Sequence, residues 1–238
     1  MEETDTMTAA ATDARTTDRA AKVLAAAEGL LLKHGYAGVT MSAVAQKAHV
    51  GKGTPYLYWR TKEDLFLALA TGHLADLLDD VASQVRDDPA LAVAERLVPV
   101  LTDAWLERPL VRALQTSDAD VLGALLDDPR THAIVAENGA DAVLRRLLPI
   151  WRDHHTIGTN WTPEEQAAAL ELVLFGYFAS QNRGIAISGA ADRSHVLRLA
   201  LSAMLDTRQP DPEDGDILAE AVDRILLAHA QQLRATRV

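Results

Sequence analysis

Residues 40–62 carry side chains suited to contact with a nucleic acid. Lysine ammonium groups bind phosphate oxygens, and threonine and tyrosine hydroxyl groups reach phosphates or base edges. The stretch contains both kinds of group and no aspartate or glutamate. The residues that we expect to contact DNA are Thr40, Lys52, Gly53, Thr54, Tyr56, Tyr58 and Lys62.

The apolar spacing around these residues predicts a helix-turn-helix. Thr40 is a suitable N-cap. One helical face then follows at i, i+3, i+4 and i+7, in Met41, Val44, Ala45 and Ala48. Residues 49–53 contain two glycines and no such spacing, so the chain is expected to turn there and to restart around Gly51 as a second short helix. Thr61 and Asp64 form a capping signal for a long third helix.

An earlier apolar stripe predicts a first helix, and Gly35 is a natural left-handed C-terminal stop for it. A longer motif begins inside this predicted helix and reads AAEGLLLKHGYAGVTMSAVAQKAHVGKGTPYLYWRTKEDLF. It resembles the N-terminal signature of TetR-type (tetracycline-repressor family) transcriptional regulators. The resemblance covers about residues 18–70, less than a third of the chain. It implies a homodimer and a small-molecule pocket in the C-terminal domain.

Several residues depart from the family pattern. His49 stands where these proteins usually have glycine, and Gly51 where a serine often caps the recognition helix. Trp59 replaces the common phenylalanine as an apolar plug. Pro55 is tolerated in a first helical turn but removes a hydrogen bond one residue deeper. Pro55 and Leu57 leave the base preference unpredicted.

The charge of the chain is divided along its length. Residues 15–62 hold eight Lys or Arg against two Asp or Glu, whereas the whole chain has a net charge of −11. Phosphate attraction is local and is screened beyond about 10 Å. A basic head on an acidic body is therefore compatible with DNA binding, although a solvated basic surface gives the same count.

The composition sets further bounds. A chain of 238 residues with 48% hydrophobic content suits two small helical domains or one large domain. It contains no cysteine, which excludes disulfides and cysteine-based zinc sites. The acidic, threonine-rich N-terminus lacks the basic and apolar pattern of a signal peptide, so we expect none there, and no apolar run reaches the roughly 20 residues of a membrane span. We expect a cytoplasmic protein that does not insert into membranes.

The fold class expected is all-α, with an N-terminal three-helix DNA-binding domain and a C-terminal helical ligand-binding and dimerisation domain. The expected divisions are a disordered arm over 1–16, the helix-turn-helix domain over 17–62 and the larger domain over 63–238. In the larger domain, apolar periodicity predicts helices over 131–152, 162–187, about 193–206 and about 213–235.

The helix over 162–187 is apolar nearly all round from 167 to 178, and the terminal helix has two apolar stripes. Each helix therefore needs more partners than one small domain supplies. We predict that both contribute to a four-helix homodimer interface. The alternative is that they are two central helices of a monomer.

The sequence offers no catalytic constellation. His154 and His155 are adjacent, so on a helix they point about 100° apart and cannot chelate one ion together. No Gly-x-Ser-x-Gly, P-loop or Gly-x-Gly-x-x-Gly motif is present. We predict a protein that is not an enzyme, with no catalytic residues, no metal site and no cofactor.

The effector pocket that the resemblance implies would lie among the aromatic and amide side chains of the larger domain. These residues are also compatible with core or interface packing. Because few polar groups lie among the apolar ones, a hydrophobic small molecule of unknown identity is expected. The candidates are Trp105, Gln115, Trp151, Phe175, Phe178, Gln181 and Asn182.

The function predicted is a ligand-responsive repressor that binds a palindromic double-stranded DNA operator as a dimer and is released by a small molecule. One alternative is a transcriptional activator, or a regulator without an effector, of the same fold. Another is a helical interaction protein with a vestigial DNA head.

Overall fold

The computed structural model describes the backbone of residues 2–182 and 192–235, with side chains from Asp18 onward except that of Asn182. The described residues form α-helices and short 3₁₀ turns without β-strands, which confirms the all-α fold class. The helices are α1 Glu2–His34, α2 Met41–Lys47, α3 Lys62–Asp87, α4 Ala94–Glu107, α5 Pro109–Thr116, α6 Ala119–Leu122, α7 Pro129–Asn138, α8 Ala140–Asp153, α9 Pro163–Asn182, α10 Arg193–Leu205 and α11 Pro212–Ala235.

The chain forms two compact units. The first comprises Met1–Ala70 with Asp118–Thr131, and the second comprises Thr71–Ser117 with His132–Arg237. Helix α3 therefore has residues in both units. The division at 62/63 drawn from the sequence stays a prediction.

The first unit buries one face of α1 together with α2 and the start of α3. Its fully buried side chains include Val23, Leu31, Val44, Leu65 and Phe66. Helix α1 begins at Glu2, so residues 2–16 are helical here, whereas the sequence predicted a disordered arm.

The second unit is built around α4, α8 and α10, with α11 packed on α8 and on the 3₁₀ turn Pro89–Ala92. Trp105, Leu147, Leu201 and Leu226 are among its buried side chains. These helices cover one another's apolar faces and so form the core of the second unit.

Local capping signals form as predicted. Asp64 N donates to Thr61 Oγ1 at 3.1 Å, and Thr61 N donates to Asp64 Oδ2 at 3.1 Å. The box at α9 is equivalent, with Glu165 N bonded to Thr162 Oγ1 and Thr162 N to Glu165 Oε2. Two of the four orphan N-terminal N–H groups of a helix are satisfied in this manner.

The prediction of one helix over 131–152 is wrong. The segment breaks at Gly139, which caps α8 with φ −66° and ψ 172°. A Cβ at this position would lie 2.6 Å from Val135 O and 3.2 Å from Gln115 Oε1. Glycine therefore permits a close approach that ends α7 and restarts the chain as α8.

The later helices agree with their predicted bounds. Helix α10 ends at Leu205, where Asp206 adopts a left-handed conformation with φ 48°, and α11 covers Pro212–Ala235. Helix α9 begins at Pro163 as expected, while residues 183–187 of its predicted range lie outside the described residues. In the part of the chain that the structure covers, no helix combines the length and apolar character needed to cross a bilayer.

Candidate nucleic-acid interface and effector site

The first helix of the predicted helix-turn-helix forms as expected. Thr40 has an extended backbone, and its Oγ1 accepts a hydrogen bond from Ala43 N at 3.2 Å. His49 takes the left-handed conformation with φ 55°. The exposed Thr40 hydroxyl thus caps α2 at the same surface where it was expected to meet DNA.

The second element is shorter than expected. Instead of an α-helix from Gly51, the chain makes successive tight turns, with a 3₁₀ turn at Pro55–Leu57. Leu57 N donates to Thr54 O at 3.1 Å and Tyr58 N donates to Pro55 O at 3.1 Å. Proline has no N–H to donate, which favours this short i to i+3 geometry over a longer α-helix.

The turn presents the candidate contacts in two groups. Lys52, Gly53 and Tyr56 are exposed. Thr54 and Tyr58 are half-buried. The segment is anchored by Pro55 and Trp59, which are buried. Because the anchors point inward, the cation and the Tyr56 ring are left free to meet a ligand.

Lys62 lies in a different environment from the other candidates. Its Nζ donates to Tyr36 O at 3.0 Å and to Val39 O at 3.2 Å. The same ammonium lies 3.7 Å from the centroid of the Tyr36 ring. Since these are structural interactions with the segment between α1 and α2, phosphate contact by Lys62 stays a prediction.

A basic groove that residue-by-residue reasoning did not single out runs along α1 and the end of α2. It has a volume of about 720 Å³ and is lined by Arg19, Lys22, Lys47 and His49, among others. Asp18 offsets part of this charge through a 2.5 Å ion pair with Lys22. Only the charge count of residues 15–62 indicated such a surface.

Polar contacts join α3 to the segment that follows α1 within the first unit. The Tyr36 hydroxyl donates to Glu63 Oε1. Burial, followed by this bond, raises the pKa of Tyr36, and the same bond lowers the pKa of Glu63. The Tyr36 ring also packs edge-on against Phe66 at 5.5 Å. These contacts hold the N-terminal turns of α3 against the segment between α1 and α2.

Arg130 in the first turn of α7 adds a second connection to α3. Its guanidinium bonds to Asp64 at 2.7 Å and to Asp128 at 2.7 Å. The Arg130 hydrogen bond lowers the pKa of Asp64. Arg130 lies 66 residues from its partner, so no local sequence signal could have identified this pair.

The two tryptophans among the effector candidates belong to the core of the second unit. Trp105 and Trp151 are among its largest fully buried side chains. Trp151 Nε1 donates to Ala92 O at 2.8 Å. A buried indole whose N–H is satisfied by the backbone serves packing, so their contact with an effector stays a prediction.

Gln115 and Phe175 are the effector candidates that the structure brings together. Both line a groove of about 490 Å³ beside α8 and α9, with Leu172 and Glu171 on its walls. Gln115 Oε1 accepts a 3.4 Å hydrogen bond from Ala140 N. The groove therefore combines apolar walls with an amide and a carboxylate.

The remaining effector candidates lie on the last turns of α9. Phe178 is buried and meets Tyr177 edge to face at 6.0 Å. Gln181 Oε1 accepts a hydrogen bond from Arg193 at 2.7 Å. The side chain of Asn182 lies outside the described residues.

Sequence reasoning missed a polar cluster that connects α4, α9 and α10. Ser194 Oγ donates to Asp103 at 2.9 Å, and the Tyr177 hydroxyl lies 3.3 Å from the same carboxylate. Burial is the main cause of a raised pKa at Tyr177. Among the described residues, no three His, Asp or Glu side chains are arranged to hold a metal ion.

Comparison with known proteins agrees with this architecture. Residues 23–69 match the family described as bacterial regulatory proteins, tetR family. An uncharacterised helix-turn-helix regulator of Mycobacterium tuberculosis is 32% identical over 85 residues, which cover 34% of this chain and 45% of the relative. The chain therefore spans less than half of that relative's length.

Longer matches are more divergent. The repressor NemR of Escherichia coli is 26% identical over 161 residues, or 65% of this chain and 79% of NemR. A crystal structure of a chain assigned to the TetR family from Mesorhizobium loti has a TM-score of 0.51 at 20% identity, and the match covers 89% of this chain and 98% of that one. This last similarity concerns the fold alone.

The fold and the matched head define a helix-turn-helix protein with a separate helical unit. The chain is similar to TetR-type regulators, and the match to the family itself covers residues 23–69.

Proposed function

We propose that the chain is a homodimeric transcriptional repressor that binds a palindromic DNA operator in the cytoplasm and releases it when a hydrophobic small molecule binds the second unit. The observation that carries the proposal is the exposed turn over residues 51–58, which contains no aspartate or glutamate and lies in the segment similar to TetR-type regulators. Lys52 and Tyr56 project from it, beside the groove that contains Lys22 and Lys47. Such a surface suits the phosphates and base edges of a major groove.

Exposed apolar side chains on adjacent helices support the dimer. Leu172 and Phe175 lie three residues apart on α9, and Val196 and Leu199 do the same on α10. Residues three apart share a helix face. By contrast, α11 buries Leu218, Val222, Leu226 and Leu233 inside its own chain. We therefore assign the interface to α9 and α10 rather than to α9 and α11.

The groove at Gln115 and Phe175 supports an effector of mainly apolar character, because its polar groups are few. In the proposed switch, the effector favours a dimer whose heads no longer match two half-sites one helical turn apart. Helix α3 continues from the first unit into the second, and α7 has residues in both units as well. A tilt of α3 would re-space the heads.

The test of DNA binding uses fluorescence anisotropy with a duplex from the chain's own upstream region. Lys52→Ala and Tyr56→Ala should weaken binding while leaving thermal unfolding unchanged, because both side chains are exposed. Lys52→Ala should also reduce the slope of log affinity against log salt by about 1. Arg96→Ala, an exposed cation of the second unit, is the matched control. Equal affinity of all three variants and the wild type contradicts the proposal.

The test of induction uses compounds that raise the melting temperature of a Trp59→Phe variant. A true effector should perturb the emission of the remaining tryptophans and release the operator over the same concentration range. A compound that stabilises the protein but leaves operator affinity unchanged at saturation is not coupled to the heads. Such a result rejects the induction mechanism for that ligand.

A further inference from the structure

Leu57 is an unusual side chain for a protein surface. It is 80% exposed, which is the highest value among the exposed large apolar side chains of the described residues. Its neighbour Tyr56 is 53% exposed. A single exposed apolar side chain is ordinary. Leu57, however, lies on the turn between the two tyrosines that we expect to meet DNA.

The backbone holds Leu57 outward. Pro55 and Trp59, on either side of it, are buried. Leu57 N donates to Thr54 O at 3.1 Å, and Trp59 N donates to Pro55 O at 2.9 Å. Proline also restricts its own φ. The backbone of Leu57 is thus held in place, so little backbone entropy is lost when a partner binds its side chain.

The surrounding charge identifies the partner. Residues 29–62 contain five Lys or Arg and no Asp or Glu. Lys52 and Arg60, on the two sides of Leu57 in sequence, are both exposed. A polyanion with an apolar group inside a groove fits this combination. In the major groove of DNA with the four standard bases, that group is the C5-methyl of thymine.

We infer that Leu57 contacts a thymine methyl group, so that one position of each half-site favours thymine over a base without the 5-methyl group. The inference rests on the proposed function, because it concerns the DNA that the head binds. It assigns a specificity role to a residue that has no hydrogen-bonding group in its side chain.

The experiment starts from duplexes selected by the wild-type chain from a random pool. Each thymine of a selected site is replaced in turn by deoxyuridine, which lacks only the methyl group. One position per half-site should show a loss of affinity of about fourfold, as expected for one buried methyl-sized group. Leu57→Ala should bind the thymine site more weakly than the wild type, with the same thermal unfolding.

The decisive measurement combines the two changes. In Leu57→Ala the difference between thymine and deoxyuridine should disappear at that position, whereas it should persist in Leu32→Ala, an exposed leucine on α1. An equal deoxyuridine penalty in the wild type and Leu57→Ala overturns the inference. So does a wild type that is indifferent to every deoxyuridine. Failure to select any duplex instead overturns the proposed function itself.

Discussion

Phe175 on α9 gives a quantitative test of how two copies would associate. Its side chain is 76% exposed, and Leu172, three residues earlier, is 73% exposed. Phe178, although close in sequence, is buried within its own chain. A substitution at Phe178 would therefore report on folding, whereas Phe175→Ala reports on assembly.

The size of the effect follows from the exposed area. Full burial of a phenylalanine contributes about 1.5–3 kcal/mol, so covering the exposed three quarters contributes about 1–2 kcal/mol. A two-fold interface uses the residue twice. Phe175→Ala should then cost about 2–4 kcal/mol of dimer stability, or a dissociation constant raised from about 30-fold to several hundred-fold.

Sedimentation equilibrium over a range of protein concentrations measures this shift. Ile217→Ala is the matched control, because Ile217 is also a half-exposed apolar residue but lies on α11. We expect its dissociation constant to equal that of the wild type. If Ile217→Ala dissociates the dimer and Phe175→Ala does not, the interface uses α11 and the assignment to α9 and α10 is wrong.

Three other substitutions test contacts inside the units. Lys62→Ala removes an ammonium bonded to two carbonyl groups, so it should destabilise the protein by about 1–3 kcal/mol in addition to any loss of operator affinity; an unchanged melting temperature would contradict the structural role. Arg130→Ala should raise the pKa of Asp64, which the Arg130 hydrogen bond lowers in the wild type. The ionised Asp64 stabilises the fold at a pH above the ordinary aspartate pKa, and this stabilisation is lost as the pH falls through the lowered pKa of Asp64. Urea unfolding at neutral and acidic pH should show a wild-type advantage that is present only at the higher pH, and an equal advantage at both refutes the pairing. Burial, followed by the charge of Arg146, lowers the pKa of His229 from 6.5 to about 4. Between these two pH values the unfolded chain therefore binds more protons than the folded chain. The stability of the wild type should fall by up to about 3 kcal/mol as the pH decreases from 6.5 to about 4. His229→Gln should flatten that part of the stability profile, and an unchanged slope would mean that His229 is not its source.

Signals that depend on neighbouring residues were readable from the sequence. Thr40 and Thr61 were predicted as caps and form the expected hydrogen bonds. The first helix of the helix-turn-helix, α10 and α11 could also be placed, because apolar periodicity and capping act within a few residues. The resemblance of residues 18–70 to TetR-type regulators depended on the same local pattern.

Other features depended on residues far apart in the chain. Gly139 ends a helix because Val135 and Gln115 come close to it, and periodicity alone predicted a continuous helix. The sequence of α9 is apolar nearly all round, so it could not distinguish the buried Phe178 from the exposed Phe175. Helical spacing defines a face, whereas the packing of other helices decides which face is covered.

The candidate DNA surface shows the same division. The sequence by itself determined which residue types occupy the turn over residues 51–58, and the charge of residues 15–62 could be counted directly. Only the tertiary structure directed the Lys62 ammonium to the carbonyls of Tyr36 and Val39 and left Leu57 exposed. A side chain binds whichever partners the folded backbone brings within a few ångströms, and for Lys62 those partners lie 23 and 26 residues away in the sequence.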